Sequence, residues 1–157
     1  MTQLNAGRSK DHELDQRRMD WVRLVGAGAL AATVAVAGTA IIQAAAAAAG
    51  LVDGRVVLPS LIGMGPLRLA SVSLTAVVAV VGASILLAVL LATTRRPIRV
   101  FRIVTSVLAL ASLSMPATIP GPPVAMRLTM VAMHVVVWAV SVGVLATLGG
   151  RPSRTEA

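Results

Sequence analysis

Residues 24–52, 69–94, 103–119 and 128–150 contain no Asp, Glu, Lys or Arg, and the segments between them carry arginine. A helix crosses a hydrocarbon core of about 30 Å with roughly 20 mostly apolar residues. At about 1.5 Å per residue the four runs extend about 43, 39, 26 and 35 Å, so each is an expected transmembrane helix and the third is slightly short. Val100, Phe101 and snorkelling Arg99 and Arg102 can lengthen it. The chain of 157 residues is 57% hydrophobic and 13% charged. A soluble domain of that size could not hide so much apolar surface. The expected fold class is therefore all-α: a four-helix transmembrane bundle.

The basic residues set the expected orientation. Arg8, Lys10, Arg17, Arg18, Arg23, Arg95, Arg96, Arg99, Arg102, Arg151 and Arg154 fall on one side of the spans, and only Arg55, Arg68 and Arg127 on the other. The positive-inside rule then puts both termini in the cytoplasm and the protein in the cytoplasmic (inner) membrane as a multi-pass protein. The expected organisation is a polar cytoplasmic tail (1–20), a transmembrane domain (21–150) and a short cytoplasmic C-terminal tail (151–157). Outer loops fall at 53–68 and 120–127 and a cytoplasmic loop at 95–102. Arg23, Arg95, Arg96, Arg99, Arg102 and Trp21 are the expected membrane-interface anchors. The net charge of +8 belongs to these anchors, which removes nucleic acid as a partner and leaves the lipid bilayer.

The tail mixes acids with bases and has too little apolar surface to fold alone, so disorder is expected up to about Trp21. The uncharged run of 29 residues at 24–52 far exceeds the 7 to 15 of a signal peptide, so a retained span is expected rather than a cleaved leader. In the loop 53–68, apolar residues alternate with Pro59, Gly63, Gly65 and Pro66, which suits an extended or re-entrant segment capping the bundle. Pro116, Pro120, Pro122 and Pro123 are expected to end the third helix. In the first span Ala27, Ala31, Ala35 and Thr39 recur every fourth residue, a strip that permits close helix approach within the bundle or in a homo-oligomer.

Polar residues inside the spans are the remaining signal, because lipid offers them no partner. Counted from the outer ends, His134, Thr75 and Ser114 fall about 8 to 10 Å deep. Ser71 lies one turn above Thr75, Ser112 slightly deeper than Ser114, and Gln43 of the first span about 15 Å from Asp53. On the fourth span Arg127, Met130, His134, Trp138 and Ser141 share one face. If that face turns inward, His134 can hydrogen-bond Ser114 or Thr75, and Trp138 packs near the bilayer middle. Two readings are open: a neutral imidazole tying helices together, or a small outward-facing pocket where His134 binds ligand or carries a proton.

Catalysis has little support. The chain has no cysteine, and a lone intramembrane histidine lacks both the carboxylate that orients a serine nucleophile and the further ligands a metal needs. No catalytic residue, metal or cofactor is expected.

Leu113-Ser114-Met115-Pro116 at the end of the third span and Met133-His134-Val135-Val136 in the fourth carry a resemblance. With the basic break 95–102, they make residues 22–148 similar to an uncharacterised actinobacterial family of small four-span integral membrane proteins, a domain of unknown function. That family more often has glycine where Met115 stands. The resemblance implies four spans and no activity. The function expected is that of a structural or interaction protein, such as an accessory subunit with a membrane-protein partner. The alternative is a small-molecule carrier or sensor with an outer-leaflet pocket around His134.

Overall fold

The computed structural model describes residues 2–52, 57–60, 63–66 and 68–149. Helix α1 (Thr2–Ala48) is followed by strands β1 (Val57–Ser60) and β2 (Gly63–Pro66) and by helices α2 (Leu69–Thr93), α3 (Pro97–Thr118) and α4 (Val124–Val144). A π-helical turn, Leu145–Gly149, continues α4. Four segments, Trp21–Ala48, Leu69–Thr93, Pro97–Pro116 and Val124–Gly149, are long and apolar enough to cross a membrane.

The helix ends differ from expectation for local reasons. The polar tail, expected to be disordered, forms the start of α1 from Thr2. That helix stops before the uncharged run does, because Gly50 takes φ +69. The Leu51 amide then donates to Ala46 O at 2.8 Å and the Gly50 amide to Ala47 O at 3.0 Å. These are the two bonds of a Schellman cap, which needs a left-handed residue that glycine adopts without strain.

Helix α3 starts six residues earlier than the uncharged run, with Pro97 in its first turn, where proline's missing N–H is no loss. Arg99 and Arg102 thus stand on the helix rather than in a loop, and Pro97–Pro116 alone supplies 20 residues. The expected cytoplasmic loop 95–102 shrinks to residues 94–96. Pro116 does not end α3 but lies inside it. The segment 53–68 contains an antiparallel pair, Val57 opposite Pro66 and Ser60 opposite Gly63. Both strands are edges, so Pro59 and Pro66 remove no shared ladder bond. This ribbon departs from a purely helical fold. The expected C-terminal tail, 151–157, lies outside the described residues.

Helix α1 packs against α2 and α4, and α3 packs against the same two; α2 and α4 meet across the middle, while α1 and α3 scarcely touch. The strip of small residues makes this possible. Ala27, Ala31, Ala35 and Thr39 are 4%, 0%, 0% and 1% exposed, so the strip is filled by the chain's own helices and is not free for a second copy. Beside it, a Cβ on Gly28 would stand 2.9 Å from Ser84 Oγ of α2, and one on Gly38 would stand 2.9 Å from Val136 Cγ1 of α4.

The densest core gathers Leu24, Leu87, Leu90, Phe101, Leu145 and Ala146, all at the end that carries the arginine turn. The π turn contributes there with the consecutive Leu145 and Ala146, both buried. Val107, Leu108, Leu110 and Met115 of α3 are exposed, and α2 and α3 touch less extensively than α1 and α2.

Candidate functional site

The half away from the arginine turn holds a cleft of about 860 Å³ walled by α2 and α3, with α4 as its floor and Thr39 of α1 at its back. It is open rather than enclosed. Val78, Leu108 and Met115 in its walls are 50%, 59% and 50% exposed, so the mouth lies between α2 and α3 on the side of the bundle that would face lipid.

The walls are mainly apolar, and four of the expected polar residues are part of them: Ser71 and Thr75 on α2, Ser112 on α3 and His134 on α4. Two are not. Ser114 is exposed, and its hydroxyl donates to Ala111 O at 2.7 Å. Gln43 is half-buried on α1 and does not line the cleft. The face of α4 defined by Met130, His134, Trp138 and Ser141 does turn into the cleft. Arg127 stays above it, with its Nε–H bonded to Pro122 O at 3.0 Å across the start of the helix.

The expected bond from His134 to Ser114 or Thr75 is absent. His134 Nδ1 lies 2.8 Å from Met130 O, one turn back on its own helix. Since a carbonyl oxygen only accepts, Nδ1 carries the hydrogen, and in that tautomer Nε2 keeps its lone pair.

The hydroxyls behave alike. Thr75 donates to Ser71 O at 2.9 Å, Ser112 to Ala109 O at 2.8 Å, Thr105 to Phe101 O at 2.7 Å and Ser141 to Val137 O at 2.7 Å. Ser and Thr satisfy themselves in this way when no better partner is near. Among the described serines, threonines and His134, no side-chain hydrogen bond joins two helices. These groups line a cleft and do not tie the bundle together.

Thr39, Thr105, Gly82, Met133 and Pro116 also line the cleft. Ser112 and Pro116 belong together, because proline has no N–H to give to the carbonyl four residues earlier. Ser112 O therefore lacks its helical partner beside the cleft. Gly82 is open, with nothing within 4 Å of where its Cβ would stand. Trp138 is half-buried, as expected of a packing residue, yet its Nε1 is buried with no hydrogen-bond partner. Among the described residues no three His, Cys, Asp or Glu side chains gather as metal ligands.

The expected interface residues are all on the surface of the bundle. Trp21 and Arg23 are exposed near the start of the first apolar segment, Arg95 and Arg96 in the turn after α2, and Arg99 and Arg102 on the first turns of α3. Cations at a helix N-terminus oppose the helix dipole by about 0.3 to 1 kcal/mol each, so Arg99 and Arg102 gain the helix nothing electrostatically.

Residues 19–151 match the model of a family of unknown function, DUF6069, and the chain belongs to that family. No curated protein and no solved structure matches it.

Proposed function

We propose that this member of the family is a non-enzymatic integral membrane protein of the cytoplasmic membrane that binds a membrane-dissolved amphiphile in the α2–α3 cleft, as its carrier or sensor. The single observation behind this reading is the cleft itself. Its volume of about 860 Å³ lies in the range of small-molecule sites, about 300 to 1,000 Å³, and its apolar walls with a few convergent polar groups suit such a site. A mouth opening sideways favours a ligand that arrives through the hydrocarbon rather than through water. The eleven-to-three division of basic residues favours cytoplasmic termini and an outer-leaflet cleft.

Two tryptophans, Trp21 and Trp138, are present, so Trp21→Phe leaves Trp138 as a reporter in the cleft wall. Brominated single-chain amphiphiles should quench its emission saturably in detergent micelles. Gly82→Leu, which projects a side chain into the cleft, should abolish the saturable part without lowering the thermal midpoint. Quenching that never saturates, or that ignores Gly82→Leu, would remove the reading.

The accessory-subunit role is the second reading, and the exposed apolar row Ile103, Val107 and Leu110 of α3 favours it as a surface for a membrane-protein partner. His134→Ala separates the two. Lost stability restored by His134→Gln supports a structural histidine, and unchanged stability with lost amphiphile binding supports the cleft.

A further inference from the structure

We infer that the amphiphile bound in the cleft ends in a hydroxyl group, so that the ligand class is a neutral long-chain alcohol rather than a lipid acid or phosphate. This rests on the cleft reading above and adds the chemistry of the ligand's polar end. The polar atoms facing the cleft have mostly given their hydrogens away. His134 donates Nδ1–H to Met130 O at 2.8 Å, and in that tautomer Nε2 is an acceptor. Thr75 and Ser112 donate their hydroxyl hydrogens to Ser71 O and Ala109 O at 2.9 and 2.8 Å and present only lone pairs. Pro116 leaves Ser112 O without the helical N–H it would otherwise accept.

Three helices thus bring acceptors to one cleft, and the hydrogens left to offer are those of Ser71 and of Trp138 Nε1, which is buried in the wall without a partner. A head group that only accepts, such as an ether, can use those two donors but leaves the acceptors of all three helices unmet. A carboxylate or phosphate would be desolvated with no cation in the lining to balance it, and burying an unpaired charge is far more unfavourable than burying a hydroxyl. An ammonium group has the donors, yet the lining contains no carboxylate either. A hydroxyl carries one hydrogen and no charge, and it matches what the walls provide. The apolar remainder of the cleft takes the chain.

The test uses the full chain carrying Trp21→Phe, with hexadecanol, hexadecyl methyl ether, hexadecylamine and hexadecanoate as competitors against a brominated quencher of Trp138. Hexadecanol should displace the quencher at concentrations roughly three- to tenfold lower than the methyl ether, the range one hydrogen bond spans. Hexadecylamine and hexadecanoate should compete less well than the alcohol. The preference for alcohol over ether should shrink in His134→Phe and also in Pro116→Ala, which returns an N–H to Ser112 O. Should the ether or the amine compete as well as the alcohol, the head-group assignment is overturned and the cleft reading stands. Should no competitor displace the quencher and Gly82→Leu change nothing, the cleft reading itself fails.

Discussion

Three glycines of α1 lie within twelve residues of one another yet meet different surroundings, and alanine at each should give a different result. In a helix interior Gly→Ala gains about 0.8 to 1.0 kcal/mol from propensity alone. At Gly26 nothing stands within 4 Å of the new Cβ, so the whole gain should appear, about 2 to 4 °C in the thermal midpoint for a chain of this size. At Gly28 the Cβ would sit 2.9 Å from Ser84 Oγ. That oxygen can rotate away, but it then gives up its 2.8 Å bond to Val80 O, a loss of about 0.5 to 1.5 kcal/mol, and the net change should be near zero. At Gly38 the obstacle is Val136 Cγ1, also 2.9 Å away. A β-branched side chain in a helix has one strongly preferred rotamer, so it cannot turn aside. Overpacking then outweighs propensity by about 0 to 2 kcal/mol. Midpoints measured in one detergent should rank Gly26→Ala above Gly28→Ala above Gly38→Ala. Equal shifts at Gly26 and Gly38 would refute the close approach of α1 to α4.

Gly50→Ala should lower stability by about 1 to 2 kcal/mol although its surroundings are empty, because φ +69 strains any Cβ; the same thermal assay reads it. Ala35→Leu at a fully buried position should lose about 1 to 3 kcal/mol, with exposed Ala37→Leu close to neutral, and denaturation midpoints compare the two. Trp138→Phe removes a buried donor with no acceptor and should be nearly neutral in chemical denaturation, whereas Trp138→Ala should be clearly destabilising but fall short of the roughly 3 to 5 kcal/mol of a fully buried tryptophan, since the side chain is half-buried. Because the chain has no native cysteine, single cysteines report orientation directly. A membrane-impermeant maleimide on intact cells should label Thr118→Cys and spare Thr94→Cys, and the reverse pattern would invert the assigned topology.

The number and approximate position of the spans can be read from the chain because lipid demands long uncharged runs. The buried face of α1 can be read too, since alanine and threonine stand out as small in their register. The inner face of α2 cannot. Val80, Leu87 and Leu90 are buried while Val78, Val81 and Val89 are exposed, and hydrocarbon treats both sets alike, so no polar stripe marks the outside. The start of α3 at Pro97 has a signal in the proline, but the arginines around it resemble a loop. The cleft was partly legible. Ser71, Thr75, Ser112 and His134 stand out as polar atoms in apolar helices, but whether each bonds across the bundle or to its own carbonyls depends on helix spacing, which the sequence does not record.

Only residues 94–96 separate α2 from α3, and the fully buried Phe101 packs with Leu87 and Leu90 beside that short turn. The two walls of the cleft therefore diverge from one packed turn. Over an arm of about 38 Å, a 5° rotation moves the tip about 3 Å. A wider occupant would therefore splay the arms most at their far tips, where Pro120, Pro122 and Pro123 join α3 to α4, at the end of the bundle opposite Arg95 and Arg96.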